Sequence, residues 1–294
     1  MSVQPVPVSA EITIRAAKPE DAAPCGQVCY DAFTRISTEH GFPPDFPSPD
    51  VAIGALSMMF SNPGFYCVVA ESDGRIVGSN CLDERSVIAG VGPITVNPNL
   101  QNRGVGRNLM KAVLDRAHER NFVGVRLLQA AFHNRSLSLY TKLGFDAREP
   151  MSVMQGPPIR KQMAGCSVRA ARIEDLGKCN RVCWLVHGFD RGRELAEAIG
   201  HGTAILVERD GRVTGCATVL AFFGHAVAET DLDLQALIGS AESFGGPGII
   251  VPTRNAALFR WCLKNDLRVV EPLTLMTIGL YNEPAGAYLP SILF

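Results

Sequence analysis

The segment from Val91 to Arg107 carries the residues whose types and spacing point most directly to chemistry. It reads VGPITVNPNLQNRGVGR, in which an apolar stretch leads into a turn that contains Gly104 and Gly106. The first N–H groups of a helix lack acceptors within the helix, and the helix dipole adds positive charge there. Glycines leave such amides accessible, and Arg103 and Arg107 can add charge-assisted hydrogen bonds. The segment therefore predicts an anion site suited to a pyrophosphate.

Other nucleotide-binding motifs fit this segment poorly. A dinucleotide-binding fingerprint needs a third glycine where Leu109 stands, and an acidic residue about 20 residues later. A Walker A loop needs Gly-Lys-Ser/Thr, which the chain does not contain. A G-x-G pair alone is uninformative, because the chain has several. The order of strand, Gln101-x-x-Gly-x-Gly and helix carries the prediction.

Two segments resemble signatures of the GNAT acyltransferases. Residues 101–106 resemble the Q/R-x-x-G-x-G/A signature, and Leu139–Phe145, which reads LYTKLGF, resembles the L-Y-x-x-L-G-F block. The resemblance covers about residues 11–155 and implies acetyl-CoA as co-substrate. No metal is expected, because the cysteine pairs lack further Cys or His ligands at short spacing. In the family, the signature loop holds the CoA pyrophosphate and the preceding strand pairs with the pantetheine arm. The implied cofactor-binding residues are Ile94, Thr95, Val96, Gln101, Asn102, Arg103, Gly104, Val105, Gly106 and Arg107.

The resemblance also implies a general acid. Tyr140 matches the family tyrosine that protonates the departing thiolate, and a phenol with a pKa of about 10 can donate that proton. The alternative is an ordinary buried aromatic residue on a short helix. Seven residues earlier, where the family often has Asn, the chain has His133 followed by Asn134. Both are candidate contacts to the CoA arm.

No general base emerges from the sequence. An attacking ammonium must lose a proton, and relatives often supply a carboxylate from the strand before the His133 helix. Here that strand segment, Val125–Gln129, has no acidic residue. Asp83, Glu84 and Glu71 lie near a predicted hairpin, where a solvated surface role is the simpler interpretation. A water chain is a further alternative.

An internal repeat divides the chain. Residues 14–21, IRAAKPED, return as residues 168–175, VRAARIED, and residues 71–75, ESDGR, return as residues 208–212, ERDGR. Two matches in the same order predict two copies of one fold. The predicted fold class is α/β with an α+β mixed sheet: two tandem GNAT-like domains, each a mostly antiparallel sheet flanked by helices. The predicted parts are residues 1–155, a linker at residues 156–165, and residues 166–294.

Hydrophobic periodicity and turn residues place the elements of the first copy. The Asp73-Gly74 pair predicts a hairpin turn, and Gly144 suits a left-handed helix end. The apolar period between Gly104 and Arg120 predicts a helix with one buried face. Strands are expected at residues 11–16, 66–70, 75–81, 87–96 and 123–129, and helices at residues 104–120 and 136–143.

The second copy lacks the anion loop. At the corresponding position, Ala228–Leu237 contains three acids and no glycine, which disfavours a pyrophosphate. Cys262 falls near the position that Tyr140 takes in the first copy. We predict that this copy does not bind CoA but completes the acceptor pocket, packs against the first copy, or binds a separate small ligand. His187 and His225 are interpreted as structural residues.

The composition limits which binding partners and which cellular compartment are expected for the protein. The formal net charge is −1, so nothing in it favours nucleic acid or an anionic membrane as partner. No secretion signal and no run of 18 apolar residues is found. The nine cysteines form no CxxC pair and are interpreted as free thiols, which indicates a cytoplasmic protein.

These observations favour an N-acyltransferase that moves acetyl from acetyl-CoA to a small-molecule amine by direct attack in a ternary complex. A non-catalytic acyl-CoA sensor is the alternative from another class, and longer acyl groups or a non-amine nucleophile also fit. The acceptor pocket is expected to involve Ile36–Pro63, interpreted as a stiff, apolar-edged loop. A homo-oligomer is compatible with the composition.

Overall fold

Strands and helices alternate along residues 11–293, the part of the chain that the computed structural model describes. Up to residue 155 the elements are β1 (Ile12–Ala16), α1 (Ala22–Glu39), α2 (Pro49–Ser61), β2 (Phe65–Ser72), β3 (Arg75–Asp83), β4 (Ile88–Val91), β5 (Thr95–Val96), α3 (Val105–Glu119), β6 (Gly124–Ala130), α4 (Asn134–Lys142) and β7 (Asp146–Gln155). After residue 165 they are β8 (Cys166–Ala170), α5 (Leu176–His187), α6 (Gly192–Gly200), β9 (Ile205–Arg209), β10 (Arg212–Ala217), β11 (Ala226–Ala228), α7 (Asp231–Gly239), β12 (Ile249–Pro252), α8 (Ala256–Lys264), β13 (Arg268–Gly279) and β14 (Ala287–Leu289).

The repeated sequence motif forms the same ion-paired junction twice. In the first copy, Arg15 on β1 donates to Asp21 at 2.6 Å and to Glu71 on β2 at 2.6 Å. The arginine thereby ties the first strand both to the start of α1 and to the hairpin. The equivalent residues of the second copy, joined at 2.7 and 2.8 Å, are Arg169, Asp175 and Glu208. Both junctions are partly exposed, so each stabilises the fold modestly.

The predicted hairpins are present in both copies. Asp73 and Gly74, at the turn between β2 and β3, have φ angles of 50° and 70°. Asp210 and Gly211, between β9 and β10, have φ angles of 53° and 73°. Two successive left-handed residues make the turn that matches the twist of an antiparallel hairpin, and Asp-Gly is suited to it.

Two sheets contain the strands, and the larger one draws on both halves of the chain. The nine-stranded sheet has the order β1-β2-β3-β4-β6-β13-β7-β12, with β5 paired to β3. The five-stranded sheet has the order β14-β11-β10-β9-β8. All pairs are antiparallel except β4 with β6, which is parallel. The mixed sheet agrees with the predicted fold class.

Strands β7 and β13, which follow the equivalent helices α4 and α8, are exchanged between the two halves. Strand β13 lies between β6 and β7, so that Leu275 faces Leu128 on one side and Glu149 on the other. Strand β7 in turn lies between β13 and β12. Strand β13 of the second half therefore lies between two strands of the first half, and β7 of the first half lies between two strands of the second. This pairing joins the two halves through backbone hydrogen bonds. The domain boundaries at residues 155 and 166 stay a prediction.

Helix faces agree with the sequence periodicity. The predicted apolar face of α3 is buried, and Met110 extends it; its members are Val105, Leu109, Val113 and Ala117. The cysteine pairs of α1 and α5 are also buried, at Cys25, Cys29, Cys179 and Cys183. Seven cysteines are free. The prediction of free thiols is wrong for Cys67 and Cys81, which face each other across β2 and β3 and form a disulfide.

Two element predictions also differ from the structure. The strand expected at residues 87–96 is split into β4 and β5, because the chain turns at Gly92-Pro93 between them. The segment Ile36–Pro63, predicted as a loop, contains the end of α1 and all of α2. Pro49 occupies the start of α2, where a helix tolerates proline because that N–H needs no acceptor within the helix. The irregular parts are residues 40–48 and the last two residues, 62 and 63.

Candidate functional site

The site begins where two neighbouring strands separate. Strand β4 pairs with β6 in parallel from Ile88 to Gly90. Beyond the turn, β5 pairs with β3 and with no other strand in the described residues. The edge of β5 that faces β6 therefore presents backbone groups without a strand partner. Thr95 is buried, while Ile94 and Val96 are half-buried beside this opening.

The glycine turn leads from this opening into α3. Gly104 has a φ of 82° and precedes the helix, and the first helical hydrogen bond runs from the Asn108 N–H to the Gly104 carbonyl at 3.0 Å. The N–H groups at residues 105–107 thus precede the helical bonding pattern. Asn102, Arg103 and Gly104 are exposed, and a Cβ at Gly104 would meet no atom within 4 Å. The turn is open to a ligand of phosphate size.

Gly106 has a different role from Gly104. A Cβ built on it would lie 3.7 Å from Leu139 on α4 and 3.7 Å from Val96 on β5. These are ordinary packing distances, so Gly106 faces the packed junction of α3, α4 and β5. The sequence predicts that both glycines leave the backbone amides accessible to a pyrophosphate. In the structure only Gly104 has open space beside its Cα.

The start of α3 carries positive side chains, whereas the N-terminus of a helix usually favours acidic ones. Its first turn contains no acidic residue, and the Gly104 position supplies no side-chain cap. Arg103 and Arg107 are exposed there, and neither forms an ion pair within residues 11–293. Cations at a helix N-terminus are unfavourable unless an anion is present. The arrangement suits a bound polyanion.

The corresponding helix of the second half, α7, is closed to an anion. The Thr230 side chain accepts a hydrogen bond from the Asp233 N–H, so the helix caps itself. Asp231 and Asp233 add negative charge to the first turn, and Asp233 is fully buried against Arg209 at 2.8 Å. The contrast with α3 agrees with the sequence argument that only the first half has an anion loop.

A cavity of about 440 Å³ brings several predicted residues together. It lies between the end of α1, the glycine turn and the start of α4. Four predicted cofactor-binding residues line it: Gln101, Asn102, His133 and Asn134. The other lining residues are Arg35, Ile36, Glu39, His40, Pro98 and Arg135. A second hollow of about 520 Å³ continues along α1 and shares Arg35, Glu39 and Pro98 with the first.

His133 lines the first of these cavities, and its imidazole is uncharged. Burial lowers its pKa to about 4, and the neighbouring Arg135 and His40 add to the effect. A neutral imidazole offers one donor and one acceptor, so it can form a hydrogen bond to an uncharged amide of a ligand. The side chain is therefore suited to a polar arm rather than to a phosphate.

Tyr140 lies in the core of the first half. It is 8 % exposed, and its ring lies 6.1 Å from that of Phe145. It belongs to the apolar cluster that includes Leu109 of α3, and Val96 packs against this cluster. Burial raises the pKa of the phenol above its ordinary value, so the hydroxyl keeps its proton at neutral pH. Tyr140 does not line either hollow.

The acids near the hairpin are engaged in ion pairs. Each of them contacts an arginine, and the pairs are Glu71–Arg15, Asp83–Arg85 and Glu84–Arg116. The solvated surface role that the sequence favoured does not fit Asp83 and Glu84, whose side chains are only 14% and 9% exposed. His187 and His225 contact each other through their Nε2 atoms at 2.9 Å, and burial lowers the pKa of both.

Two carboxyl groups that the sequence analysis missed lie at the boundary of the two halves. Glu271 on β13 is 3 % exposed, and burial together with the nearby Asp45 raises its pKa to about 8. Asp45 lies in the irregular segment 40–48, and burial raises its pKa to about 6. The sequence feature that could have pointed to Glu271 is that it is the one acidic residue in the largely apolar segment RVVEPLTLMTIG.

Neither a metal centre nor a membrane span is found within residues 11–293. No three His, Cys, Asp or Glu side chains come together there in a way that would hold a metal ion. No helix of this region combines the length and the apolar character that crossing a membrane requires.

Comparison with known proteins identifies the architecture. Residues 30–145 match the family model of the acetyltransferase (GNAT) family. An acetyltransferase from Pyrococcus horikoshii has a TM-score of 0.72 at 19% identity, covering 97% of this chain and 98% of that one. A GCN5-related N-acetyltransferase from Sphaerobacter thermophilus has a TM-score of 0.61 at 16% identity, covering 92% and 96%. No curated protein sequence matches the chain.

A third solved structure shares the tandem arrangement. It is a tandem GNAT protein from the clavulanic acid biosynthesis pathway, with a TM-score of 0.55 at 14% identity, covering 92% of this chain and 98% of that one. At such identities the likeness shows the fold alone. The predicted fold class and the predicted resemblance are both confirmed.

Proposed function

We propose that this chain is an acetyltransferase of the GNAT superfamily, which transfers acetyl from acetyl-CoA to a small-molecule amine by direct attack. In this proposal residues 1–155 hold the acetyl-CoA site, residues 156–165 link the halves, and residues 166–294 bind no CoA. The reaction is assigned to the cytoplasm, since seven of the nine cysteines are free thiols.

The observation that carries the proposal is the open, uncapped start of α3. Its free N–H groups, the left-handed Gly104 and the two unpaired arginines together suit a diphosphate. We assign the pyrophosphate of acetyl-CoA to residues 101–107. The hollow lined by Gln101, His133 and Asn134 is assigned to the arm that joins the nucleotide to the thioester.

The opening beside β5 is assigned to the reacting end of acetyl-CoA. This co-substrate supplies an acetyl group that is already activated as a thioester. Backbone groups at residues 94–96 have no strand partner on that edge, so they can align the arm and polarise the thioester carbonyl. Holding the amine beside the thioester supplies further acceleration, because a bimolecular encounter becomes an oriented contact. Tyr140 is assigned the proton that the departing thiolate needs.

The test is release of free CoA. The full-length protein is incubated with acetyl-CoA and a panel of primary amines, and the new thiol is followed with a chromogenic disulfide reagent. Amine-dependent thiol release above the hydrolysis rate supports the enzyme. Tight acetyl-CoA binding in calorimetry without thiol release across the panel would favour the acyl-CoA sensor. Absence of acetyl-CoA binding would exclude both functions.

A further inference from the structure

The side of the opening that lies away from α3 is covered by the second half of the chain. We propose that residues 290–293, together with Phe223, form the wall of the acceptor site on that side and keep water away from the thioester. The inference rests on the proposed function. It gives the second half, to which no CoA is assigned, a direct part in the reaction of the first half.

Strand β4 has two faces that meet different parts of the molecule. Ala89 and Val91 belong to the apolar cluster that contains Leu109 of α3. Successive side chains of a strand alternate between its faces, so Gly90 and Gly92 lie on the opposite face. The anion site at the start of α3 lies on the first side. The acceptor therefore has to reach the thioester from the second side, which the nucleotide leaves free.

Residues 290–293 lie directly against this second face of β4. A Cβ at Gly90 would overlap the carbonyl oxygen of Leu293, and a Cβ at Gly92 would lie 3.8 Å from the Cδ2 of Leu293. The backbones approach this closely because Gly90 has no side chain. Leu293 is 5 % exposed, and it packs in a cluster with residues of α1 and α2.

This contact lies at the narrow end of the opening. Strand β4 is paired with β6 up to Gly90, and the chain turns away at Gly92-Pro93. The glycine turn at residues 101–107 follows β5 and lies at the wide end. An arm that runs from the wide end to the narrow end places its thioester beside Gly92. The Leu293 side chain is then the neighbour of the acetyl group on the acceptor side.

The segment 290–293 is held in place by the second half. The Ile292 N–H donates to the Phe222 carbonyl at 2.9 Å, and the Leu293 N–H donates to Ser291 Oγ at 3.1 Å. Strand β14, which precedes the segment, pairs with β11. The segment is thus fixed to the sheet of the second half and reaches across to β4 of the first.

Phe223 extends this wall from the loop between β10 and β11. It packs against the cluster that contains Leu293 and against the cluster that contains Phe46 and Ala52. The ring therefore lies among α1, α2 and the segment 40–48. Side chains from two loops of the second half thus make the acceptor side of the opening apolar.

An apolar wall at this place protects the activated acetyl group. Water competes with the amine for the thioester, because acetyl-CoA and water give acetate, a proton and the free CoA thiol. Closing a site against water suppresses such side reactions. Apolar side chains offer water no hydrogen-bond partner, so a water molecule beside them is unfavourable.

Leu293→Ala opens the wall and should expose the thioester. The probe is acetyl-CoA without amine; free thiol is followed over time, and calorimetry measures acetyl-CoA affinity. We expect hydrolysis to rise at least about tenfold, with a dissociation constant within about threefold of that of wild type. Leu293→Met nearly keeps the side-chain volume and should stay near the wild-type rate. Leu267→Ala, at a leucine buried in the second half, is the matched control.

Gly90→Ala tests the contact without the co-substrate. The added Cβ would displace the Leu293 carbonyl, so hydrogen exchange at the Ile292 amide should be at least about tenfold faster than in wild type. Mass spectrometry of the peptide that contains Ile292 measures it. Gly239→Ala is the control, because its Cβ would overlap the Lys161 carbonyl oxygen in the linker. It should leave exchange at Ile292 unchanged.

Each outcome decides the inference. Unchanged hydrolysis in Leu293→Ala would overturn it, and so would an equal rise in Leu267→Ala. Equal exchange at Ile292 in the two glycine variants would overturn it as well. Acetyl-CoA affinity separates the two proposals. A protein that does not bind acetyl-CoA refutes the proposed function and the wall with it, whereas bound acetyl-CoA with unchanged hydrolysis in Leu293→Ala refutes the wall alone.

Discussion

At the residue scale, burial sets the protonation of the groups that chemistry needs. Burial raises the pKa of Tyr140 and so keeps its phenol protonated, as a donor to a thiolate must be. Burial and the nearby Asp45 raise the pKa of Glu271 to about 8, so this carboxyl group is mostly protonated at neutral pH. The two effects have one cause, since removing a charge from water disfavours the charged form.

Tyr140→Phe tests the proposed acid. The change removes the hydroxyl and keeps the ring, so core packing is retained. We expect turnover to fall about 10- to 100-fold, because the thiolate would leave without its proton. The acetyl-CoA dissociation constant should stay within about twofold, since the hydroxyl acts only in the chemical step. Tyr66→Phe, at a half-buried tyrosine of β2, is the matched control. Full turnover in Tyr140→Phe would remove the residue from the mechanism.

Glu271→Gln tests the buried carboxyl through stability. The folded-state pKa of about 8 lies above the ordinary value of 4.5, so the folded protein binds more protons than the unfolded chain between these limits. The free energy of unfolding therefore falls as pH rises from about 4.5 to about 8. The variant lacks this loss and should gain stability relative to wild type between pH 5 and pH 9. Urea unfolding at both pH values measures the difference. A difference that does not change with pH would contradict the buried, uncompensated carboxyl.

At the element scale, the start of a helix decides whether a half of the chain can hold an anion. Helix α3 begins at a left-handed glycine without a side-chain cap or acids. Helix α7 begins at Thr230, which caps the helix, and it carries two acids in its first turn. Both helices follow a strand in equivalent positions, so the fold is the same. The identity of a few residues before the first turn makes the difference.

Gly104→Val is the prediction for this element. A β-branched side chain at a φ of 82° strains the turn by about 1–3 kcal/mol and fills the space assigned to the pyrophosphate. We expect acetyl-CoA affinity to fall at least about 100-fold in calorimetry. Gly202→Val is the control, because Gly202 has a φ of 71° and open surroundings at the end of α6. It should show similar strain with unchanged affinity. Equal affinity in both variants would refute the placement of the pyrophosphate.

Gly106→Ala is expected to behave differently from Gly104→Val. The added Cβ would sit at ordinary distances from Leu139 and Val96, and the residue has helical conformation. Replacing glycine by alanine in a helix stabilises it by up to about 1 kcal/mol. We expect a slightly raised melting temperature with acetyl-CoA affinity retained. A loss of affinity as large as that of Gly104→Val would show that Gly106 also contacts the ligand.

At the scale of the whole molecule, the exchanged strands make the two halves interdependent. Strand β13 pairs with β6 on one side and with β7 on the other. Without it, one edge of each of these two strands would be unpaired. Unpaired strand edges in a buried sheet leave backbone groups unsatisfied and promote aggregation. The halves therefore resemble two copies in sequence and act as one unit in folding.

A fragment of residues 1–165 should not fold independently. We expect it to be aggregated or largely unfolded by circular dichroism, and to lack acetyl-CoA binding in spite of its intact glycine turn. Addition of a peptide of residues 268–279 should partly restore solubility, because it supplies the missing central strand. A scrambled peptide of the same composition is the control. A soluble, folded fragment that binds acetyl-CoA on its own would show that the exchange is dispensable.

The sequence determined the parts of this protein that depend on residues close together along the chain. The repeat, the hairpins, the buried face of α3 and the family resemblance all follow from local spacing, and the structure and the comparisons agree with them. The glycine turn was located in the same way, although the different surroundings of Gly104 and Gly106 were not visible there.

Only the tertiary structure decided what depends on residues far apart in the chain. The exchange of β7 and β13, the Cys67–Cys81 disulfide and the burial of Glu271 between the two halves are set by sheet order and register. Strand pairing is not encoded by the pattern within a single strand, because many partners satisfy the same alternation of side chains. The location of Glu271, a buried acid at the boundary of the two halves, therefore became visible only once β13 was placed beside β6.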